Sequence, residues 1–439
     1  MNAADANRWV EDFLAEGEED DAMFVAMLRS CLIDADAASA PGGSRPGRAP
    51  NKKRDPASRH LRLLQQYFGP DPIYDEGDYR NRFRMRQQLF QRIMEGVVAT
   101  DSYFEQRPDA TGKMGISTLL KVTAALRQLA YASAADAIDE NLELSDTTAI
   151  KCLKRFCFAV IACFGGEYLR APTIEELHGL LEQNARRGFV GMIGSVDCMH
   201  WQWRLCPTAH AGQYKGKEKK PTVVLEAVAD YNLRIWHCNF GSPGSLNDIN
   251  ILDQSPLFNE MLQGKAPRID FSIAGNRHYM PYLLADGIYP EWPVFAKPIE
   301  CPRGKKQKPY SRAQEGCRKD VERCFGVLQA RFRILDTPCR LWSVHAMSTV
   351  MHACVILHNM ILEDERFDPD LTGHDYLFSG AAQPGGVPVF NISRPATMHQ
   401  APTVADLITN SFKLHNRREH FSLRDDLVTH LWEVRGLQE

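Results

Sequence analysis

Three acidic residues in separate, patterned contexts are the main candidates for chemistry in this chain. Asp197 lies in GMIGSVDCMHW and Asp286 in YLLADGIYP, each at the end of a short apolar run that predicts a buried strand. Glu322 lies in RKDVERCFGVLQARF, which has helical spacing. Carboxylates gathered at one edge of a sheet repel each other, and a cation bound between them offsets this repulsion. The sequence therefore predicts a metal site, with Mg²⁺ or Mn²⁺ favoured by the hard oxygen ligands.

Each aspartate alone has a simpler interpretation, because Asp at a strand end is commonly a turn or capping residue. Asp286 and Glu322 are 322 − 286 = 36 positions apart, enough for a strand, a basic loop and a returning helix. Apolar residues recur on that helix at Val321, Phe325, Leu328 and Phe332. Glu322 lies about 100° round from Val321, so we expect it at the margin of the buried face, within reach of a cleft.

The whole chain has the composition of an ordinary globular protein. Its 439 residues allow two or three domains, with 44% hydrophobic and 24% charged residues. No apolar run in the sequence is long enough to span a bilayer, so no membrane association is expected. The acidic start lacks the pattern of a secretion signal, so secretion is not expected either. Twelve cysteines without a CxxC pair fit the reduced thiols of the cytosol or nucleus.

A zinc site is an alternative use of four neighbouring residues, Cys198, His200, Cys206 and His210. Their spacing matches no standard zinc finger, and Cys198 continues an apolar strand. We therefore favour structural roles for these residues.

Basic residues are clustered although the net charge is −3 and the pI is about 6.5. Acidic residues are concentrated in the first forty positions, whereas basic stretches cover 45–54, 80–92, 215–220 and 303–333. A domain with basic faces can bind phosphate even when an acidic segment cancels its charge. Each stretch taken alone could equally be a solvated surface.

The first half of the chain divides into two regions. Residues 1–58 are acidic and then basic, with a Gly- and Pro-rich linker too polar to fold alone, and the NKKR sequence within it could serve as a nuclear import signal. Residues 59–185 have helical periodicity. Helices are predicted after Ser117, after Ser133 with Asp136 completing a capping box, and after Ser145.

These three helices resemble a helix-turn-helix unit, whose last helix would contact DNA. It would present Thr147, Lys151 and Arg155 on one face and pack Ile150, Leu153 and Cys157 inward. A helical bundle without DNA contact is an equal alternative.

The second half predicts a ribonuclease H-like α/β core over 186–370. Three strands in succession, a helix, a further strand and a terminal helix follow the order of that architecture, in which the first and fourth strands are neighbours. Asp197 and Asp286 would then meet. A long apolar helix over 344–362 would cover the sheet, and 371–439 would contain a linker and a helical tail.

An extended series of motifs resembles the plant-type PIF/Harbinger transposases, which are DDE-superfamily endonucleases. The likeness runs from Leu61 to Arg366. It includes DCMHWQW, GQYKGKEKKPTVVLEAVAD, WHCNFGSPGSLNDINILDQSPLF, YLLADGIYPEWPVFAKPI, QEGCRKDVERCFGVLQARFRIL and CVILHNMILEDE. The resemblance implies that Asp197, Asp286 and Glu322 are the catalytic triad. It also implies nuclear action and a separate Myb/SANT-like DNA-binding partner. No Myb-like repeat is visible in this sequence.

Two ions of Mg²⁺ or Mn²⁺ would suit such a triad. One would activate a water or a 3′-hydroxyl and the other would stabilise the leaving oxygen of a phosphodiester. Arg318 and Arg333, expected on the same helical flank as Glu322, could hold the DNA backbone, or could simply be solvated. Asp248, in GSLNDINIL, is either a third-position capping residue after Ser245, which we favour, or an accessory group of the site.

The sequence thus predicts a transposase that cleaves double-stranded DNA at element ends and joins the 3′ ends to a target. We expect it in the nucleus, or in the cytoplasm without its partner, and as a homo-oligomer. The alternative is a domesticated descendant that acts as a DNA-binding or chromatin adaptor protein. An intact triad favours the enzyme, because a binding module has no need of three clustered carboxylates.

Overall fold

The computed structural model describes residues 52, 54–110, 112–217, 219–366, 390–393 and 402–436, which form two compact units. The first unit ends at Tyr168 and also includes His345–Ala353, and the second contains Leu169–Val344 and Cys354–Glu439. The helix at 174–186, predicted to close the helical region, belongs to the second unit because it packs on that unit's sheet. The predicted N-terminal region and the linker after 370 lie almost entirely outside the described residues.

The first unit is helical. Its helices are α1 Pro56–Leu63, α2 Glu76–Phe83, α3 Gln87–Thr100, α4 Thr118–Tyr131, α5 Ala135–Leu142 and α6 Asp146–Tyr168. The Ser117 hydroxyl caps α4 and the Ser145 hydroxyl accepts from the first turn of α6, as predicted. The predicted capping box after Ser133 is wrong, since α5 begins after Ala134, whose side chain cannot accept a hydrogen bond.

The faces of α6 differ from those predicted. Leu153 is buried as expected, but Ile150 is 41% exposed. The Arg155 guanidinium instead turns inward and pairs with Asp101 at 2.8 Å, with side chains only 14% and 9% exposed. A carboxylate as buried as that of Asp101 requires a cation, and this requirement orients the helix. Lys151 stays exposed. The helical unit is therefore present, but a DNA-binding helix-turn-helix is not confirmed.

We expect Arg155→Ala to lower the free energy of unfolding by about 3 kcal/mol, because it leaves the Asp101 carboxylate buried without its partner. Lys151→Ala is the matched control, since it removes the same charge from the exposed face and should cost no more than about 1 kcal/mol. Urea unfolding followed by circular dichroism measures both. Equal effects of the two substitutions would contradict the assignment.

The second unit is built on a five-stranded sheet. Its strands are β1 Met192–Gln202, β2 Thr222–Ala229, β3 Ile235–Pro243, β6 Tyr282–Leu284 and β7 Phe295–Ala296, in the order β3-β2-β1-β6-β7. β1, β2 and β3 form an antiparallel meander, whereas β6 and β7 run parallel to β1. The predicted adjacency of the first and fourth core strands is thus confirmed. This mixed α/β arrangement is compatible with a ribonuclease H-like core.

A second, three-stranded sheet was not predicted. Its strands are β4 Arg268–Ile273, β5 Asn276–His278 and β8 Asn391–Ser393, in the order β5-β4-β8. The helices of this unit are α7 Ile174–Arg186, α8 Ala211–Tyr214, α9 Asp248–Gln254, α10 Asn259–Leu262, α11 Gly304–Arg331, α12 Val344–Glu365, α13 Val404–Leu414 and α14 Arg417–Gly436. Because α11 begins at Gly304, most of the predicted basic loop is helix.

A bulge in β1 sets the pairing of the two central parallel strands. Met192 lies opposite Tyr282, but Ser195 lies opposite Leu284, so β1 contains one extra residue before Gly194. A bulge of this kind re-aims every later side chain of its strand.

Two long helices complete the unit. The apolar stripe predicted on α11 is buried at Val321, Phe325, Leu328 and Phe332. On α12, the Asn359 side chain bonds to both the N–H and the carbonyl of Ile235 at the start of edge strand β3. Among the described residues, α12 is the one helix that is both long enough and apolar enough to cross a membrane. Most of it is buried within the protein, which is typical of a core helix.

Candidate active site

Asp197 lies in β1, and Asp286 follows the end of the neighbouring parallel strand β6 by two residues. The last paired residues of the two strands are Ser195 and Leu284. Side chains two residues apart on a strand point to the same face of a sheet. Asp197 therefore shares the face of Ser195, which is the face covered by α11, where the Ser195 hydroxyl donates to the carbonyl of Cys317.

A polar line along α11 faces this part of the sheet. Gln314, Arg318 and Glu322 are spaced at i, i+4 and i+8, which places them one above another on a helix. The Gln314 amide is buried and donates to the carbonyls of Ala285 and Ala296, at 3.0 and 2.9 Å. It joins the ends of β6 and β7 beside Asp286. The sequence analysis missed Gln314, although its spacing from Glu322 was a usable signal.

Arg318 binds two members of the predicted triad. Its Nη1 is 3.0 Å from Asp197 Oδ2 and its Nη2 is 2.8 Å from Glu322 Oε1. The side chain of Arg318 is 17% exposed, compared with 43% for Glu322. Arg318 was predicted to hold DNA, but in the structure its guanidinium is engaged with carboxylates. Arg333, the other predicted contact, lies in a 3₁₀ turn beyond α11 and not on its flank, with a side chain 59% exposed.

The Asp197 carboxylate is electrostatically strained. Burial above all, together with the carboxylates of Asp248 and Glu322, raises its pKa to about 6, although the Cys198 N–H bond and Arg318 act to lower it. The single guanidinium does not compensate for burial beside two other acids. Such a perturbed group at a sheet edge is a candidate functional residue.

Asp248 has a different position from the one predicted. The N-cap of α9 is Asn247, whose side chain accepts from the Asn250 N–H at 2.9 Å, so the predicted cap at Ser245 is wrong. Asp248 is then the first helical residue and does not cap. Its carboxylate is close enough to Asp197 to raise the pKa of that residue. The capping role at the third helical position is therefore wrong, and the accessory role of Asp248 stays a prediction.

The opposite face of the sheet carries a buried glutamate that sequence reasoning missed. Glu226 is fully buried in β2, opposite Cys198. Its Oε2 lies 3.3 Å from His237 Nε2, whereas its Oε1 has no hydrogen-bond partner. An apolar run, TVVLEAV, surrounds it in the sequence, and a lone charge in such a run is the signal that could have revealed it.

The donor chemistry suits a hard divalent cation, but the donors are not gathered around one. Within the described ranges, no three side chains of His, Cys, Asp or Glu are placed to hold a metal ion. This also leaves the alternative zinc site without support, and His200 bonds to Thr222 instead. Asp197 Oδ2 and Glu322 Oε1 instead pair with Arg318. Asp286 is exposed. Its negative charge acts to raise the pKa of the Lys297 ammonium, which burial lowers.

The chain is similar in sequence to a known family and to several known proteins. Residues 166–368 match the family of plant transposon proteins, and residues 60–98 match a domain of unknown function (DUF8418). "Putative nuclease HARBI1" of Homo sapiens is 24% identical over 306 residues, covering 67% of this chain and 80% of that protein. "Protein ALP1-like" of Arabidopsis thaliana is 23% identical over 307 residues, covering 67% and 73%. No solved structure matches the chain.

We expect Asp197→Asn to stabilise the protein in EDTA-containing buffer. The folded-state pKa of about 6 exceeds the ordinary value of 3.8, so the ionised carboxylate destabilises the folded state above pH 6. The gain should reach at most about 3 kcal/mol at pH 7.5 and disappear as the pH falls from 6 towards 4, where the wild-type carboxyl is protonated.

Urea unfolding at pH 4.5 and 7.5 measures this difference. Asp253→Asn is the control, because it neutralises an exposed carboxylate on α9 and should change the free energy of unfolding by less than about 0.5 kcal/mol. A gain for Asp197→Asn that is the same at both pH values would contradict the electrostatic explanation.

Proposed function

Because the chain belongs to the PIF/Harbinger-type transposase family, we propose that it is a DNA endonuclease that cuts at transposon ends and joins 3′ ends to a target. The observation that carries the proposal is that one arginine joins Asp197 to Glu322, on a helix that also bonds to the chain beside Asp286. A carboxylate set at the edge of a mixed sheet suits phosphodiester chemistry.

In this proposal, Asp197, Asp286 and Glu322 would together hold Mg²⁺ or Mn²⁺, as two ions. When bound, these ions supply Lewis acidity and an activated water or hydroxyl at neutral pH. The chain itself supplies position. Gln314 fixes the strand ends beside Asp286, and α11 holds Glu322 at the cleft margin. The exposed Arg333 is a group that could bind a phosphate of the DNA backbone.

The remaining assignments are part of the same proposal. Double-stranded DNA is the substrate, a Myb/SANT-like protein is the partner that recognises element ends, and the protein acts in the nucleus as a homo-oligomer. Lys151, on the exposed face of α6, stays a candidate for DNA contact, whereas the ion pair of Arg155 supports a structural role.

A non-catalytic adaptor is the second candidate function. It is favoured by one observation, the ion pairs of Arg318 with Asp197 and Glu322, since a protein that needs no metal can keep these pairs permanently. An adaptor would bind DNA or chromatin partners without cutting.

We expect alanine at Asp197, Asp286 or Glu322 to reduce DNA cleavage by about a thousandfold or more, because each loss removes an anionic ligand worth several kcal/mol in the transition state. DNA binding, measured by fluorescence anisotropy, should be retained. The assay uses element-end DNA with Mg²⁺ and purified full-length protein.

Glu315→Gln is the control for these variants, because it neutralises an exposed carboxylate on the same helix and should leave cleavage unchanged. A triad variant that cleaves DNA as fast as wild type would contradict the catalytic assignment of that residue. A wild-type protein that binds DNA and never cuts would favour the adaptor.

We expect Asp248→Asn to keep the melting temperature and to slow cleavage by about tenfold or more, since the isosteric amide removes only a charge beside Asp197. Asn247→Ala is the contrasting variant. It removes the true N-cap of α9 and should cost about 1 kcal/mol of stability while leaving the rate unchanged. A destabilised Asp248→Asn protein that cuts normally would restore the capping interpretation.

A further inference from the structure

The guanidinium of Arg318 occupies the carboxylate oxygens that a divalent cation would need. Asp197 Oδ2 accepts from Nη1, and its other oxygen, Oδ1, accepts the Cys198 N–H at 2.9 Å. Glu322 Oε1 pairs with Nη2. Each oxygen of the buried aspartate therefore already accepts one donor, and a metal ion that binds there shares the carboxylate with these donors or replaces one of them.

The contact with Arg318 is the one that can be released. The Cys198 N–H belongs to the backbone of a central strand, which is fixed by its pairing with β2. The arginine side chain, by contrast, has several rotatable bonds and reaches Glu322 across one helical turn. Because a guanidinium and a divalent ion repel each other, the two compete for the same pair of carboxylates.

The charge balance favours the exchange. One positive charge faces Asp197 and Glu322, and Asp248 adds a third acid close enough to act on Asp197. A cation of charge +2 compensates these groups better than a guanidinium does. Without any cation, the buried aspartate would be left beside two like charges.

Resting on the proposed metal-dependent function, we propose that Arg318 is an internal counter-cation that competes with the divalent ion for Asp197 and Glu322. It satisfies the acids in the metal-free protein and leaves them when the ion binds. Arg318 is thus a positioning residue, and its presence lowers the affinity for metal below that of the bare carboxylates.

Mn²⁺ binding to full-length, metal-stripped protein tests this competition. The electron paramagnetic resonance signal of free Mn²⁺ reports the bound fraction, so the readout does not depend on cleavage. Arg318→Met removes the guanidinium at similar length. Arg318→Lys keeps the charge but replaces the two-pronged donor by a single ammonium, which cannot bridge both carboxylates as the fork does.

Lys319→Met is the matched control. Lys319 is exposed on the same helix, next to Arg318, so its replacement removes an equal charge without touching either acid. It corrects for the general effect of net charge on cation affinity.

We expect Arg318→Met to bind Mn²⁺ about tenfold or more tightly than wild type, and Lys319→Met to stay within about twofold. Arg318→Lys should also bind more tightly than wild type, because the bridge is lost although the charge is kept. In thermal melts, Mn²⁺ should raise the melting temperature of Arg318→Met more than that of wild type.

Wild-type affinity in both Arg318 variants, with Mn²⁺ bound by all proteins, would overturn the competition and leave the proposed metal-dependent function intact. If Lys319→Met binds Mn²⁺ more tightly than wild type by the same factor as Arg318→Met, the competition is also overturned. The positive charge lost in both variants would then explain the increase in affinity. No Mn²⁺ binding by any variant would overturn both the competition and the metal assignment. If Arg318→Met fails to fold without metal, the charge-conserving Arg318→Lys still decides the question.

Discussion

The electrostatic cost of the Asp197 carboxylate is the constraint on which the rest of the site depends. The side chain is largely buried in a central strand and lies beside two further acids. Such a group is stable in the folded protein only with a cation in contact. In this structure the cation is supplied by α11, so the helix must lie where Arg318 can reach Asp197. The position of Glu322 then follows, because it is four residues further along the same helix.

The placement of α11 is secured away from the acids as well. Asp320 forms an ion pair with Arg187 at 2.6 Å, with side chains only 6% and 5% exposed, which ties the helix to the turn before β1. Gln314 ties it to the ends of β6 and β7. A buried pair and a buried amide resist displacement, since separating either leaves polar groups unsatisfied. The scaffold can therefore stay fixed while a single arginine side chain moves, which is the behaviour that an exchangeable counter-cation requires.

Sequence reasoning failed in two places for the same physical reason. On α6, periodicity alone assigned Arg155 outward and Ile150 inward, because apolar residues are normally buried. The buried Asp101 reversed both assignments, and nothing in the local sequence of α6 reveals a carboxylate 54 positions earlier (155 − 101). At α9, Ser245 and Asn247 are both good capping residues, and the backbone path selected Asn247. Local patterns rank such choices, but contacts between distant segments decide them.

The sequence by itself determined the order of the first three strands, the strand before Asp286 and the helix that carries Glu322. Alternating and apolar runs specify the strands, and the stripe at Val321, Phe325 and Leu328 specifies the inner face of α11, because periodicity follows directly from backbone geometry. Only the tertiary structure decided which groups meet. Arg318 joins Asp197 to Glu322, and the one-residue bulge near Gly194 sets the pairing of β1 with β6, where a Cβ at Gly194 would lie 2.8 Å from the carbonyl oxygen of Ala229. Register and charge pairing are properties of segments that are far apart in the chain, and their energies exist only after the strands and α11 have packed together.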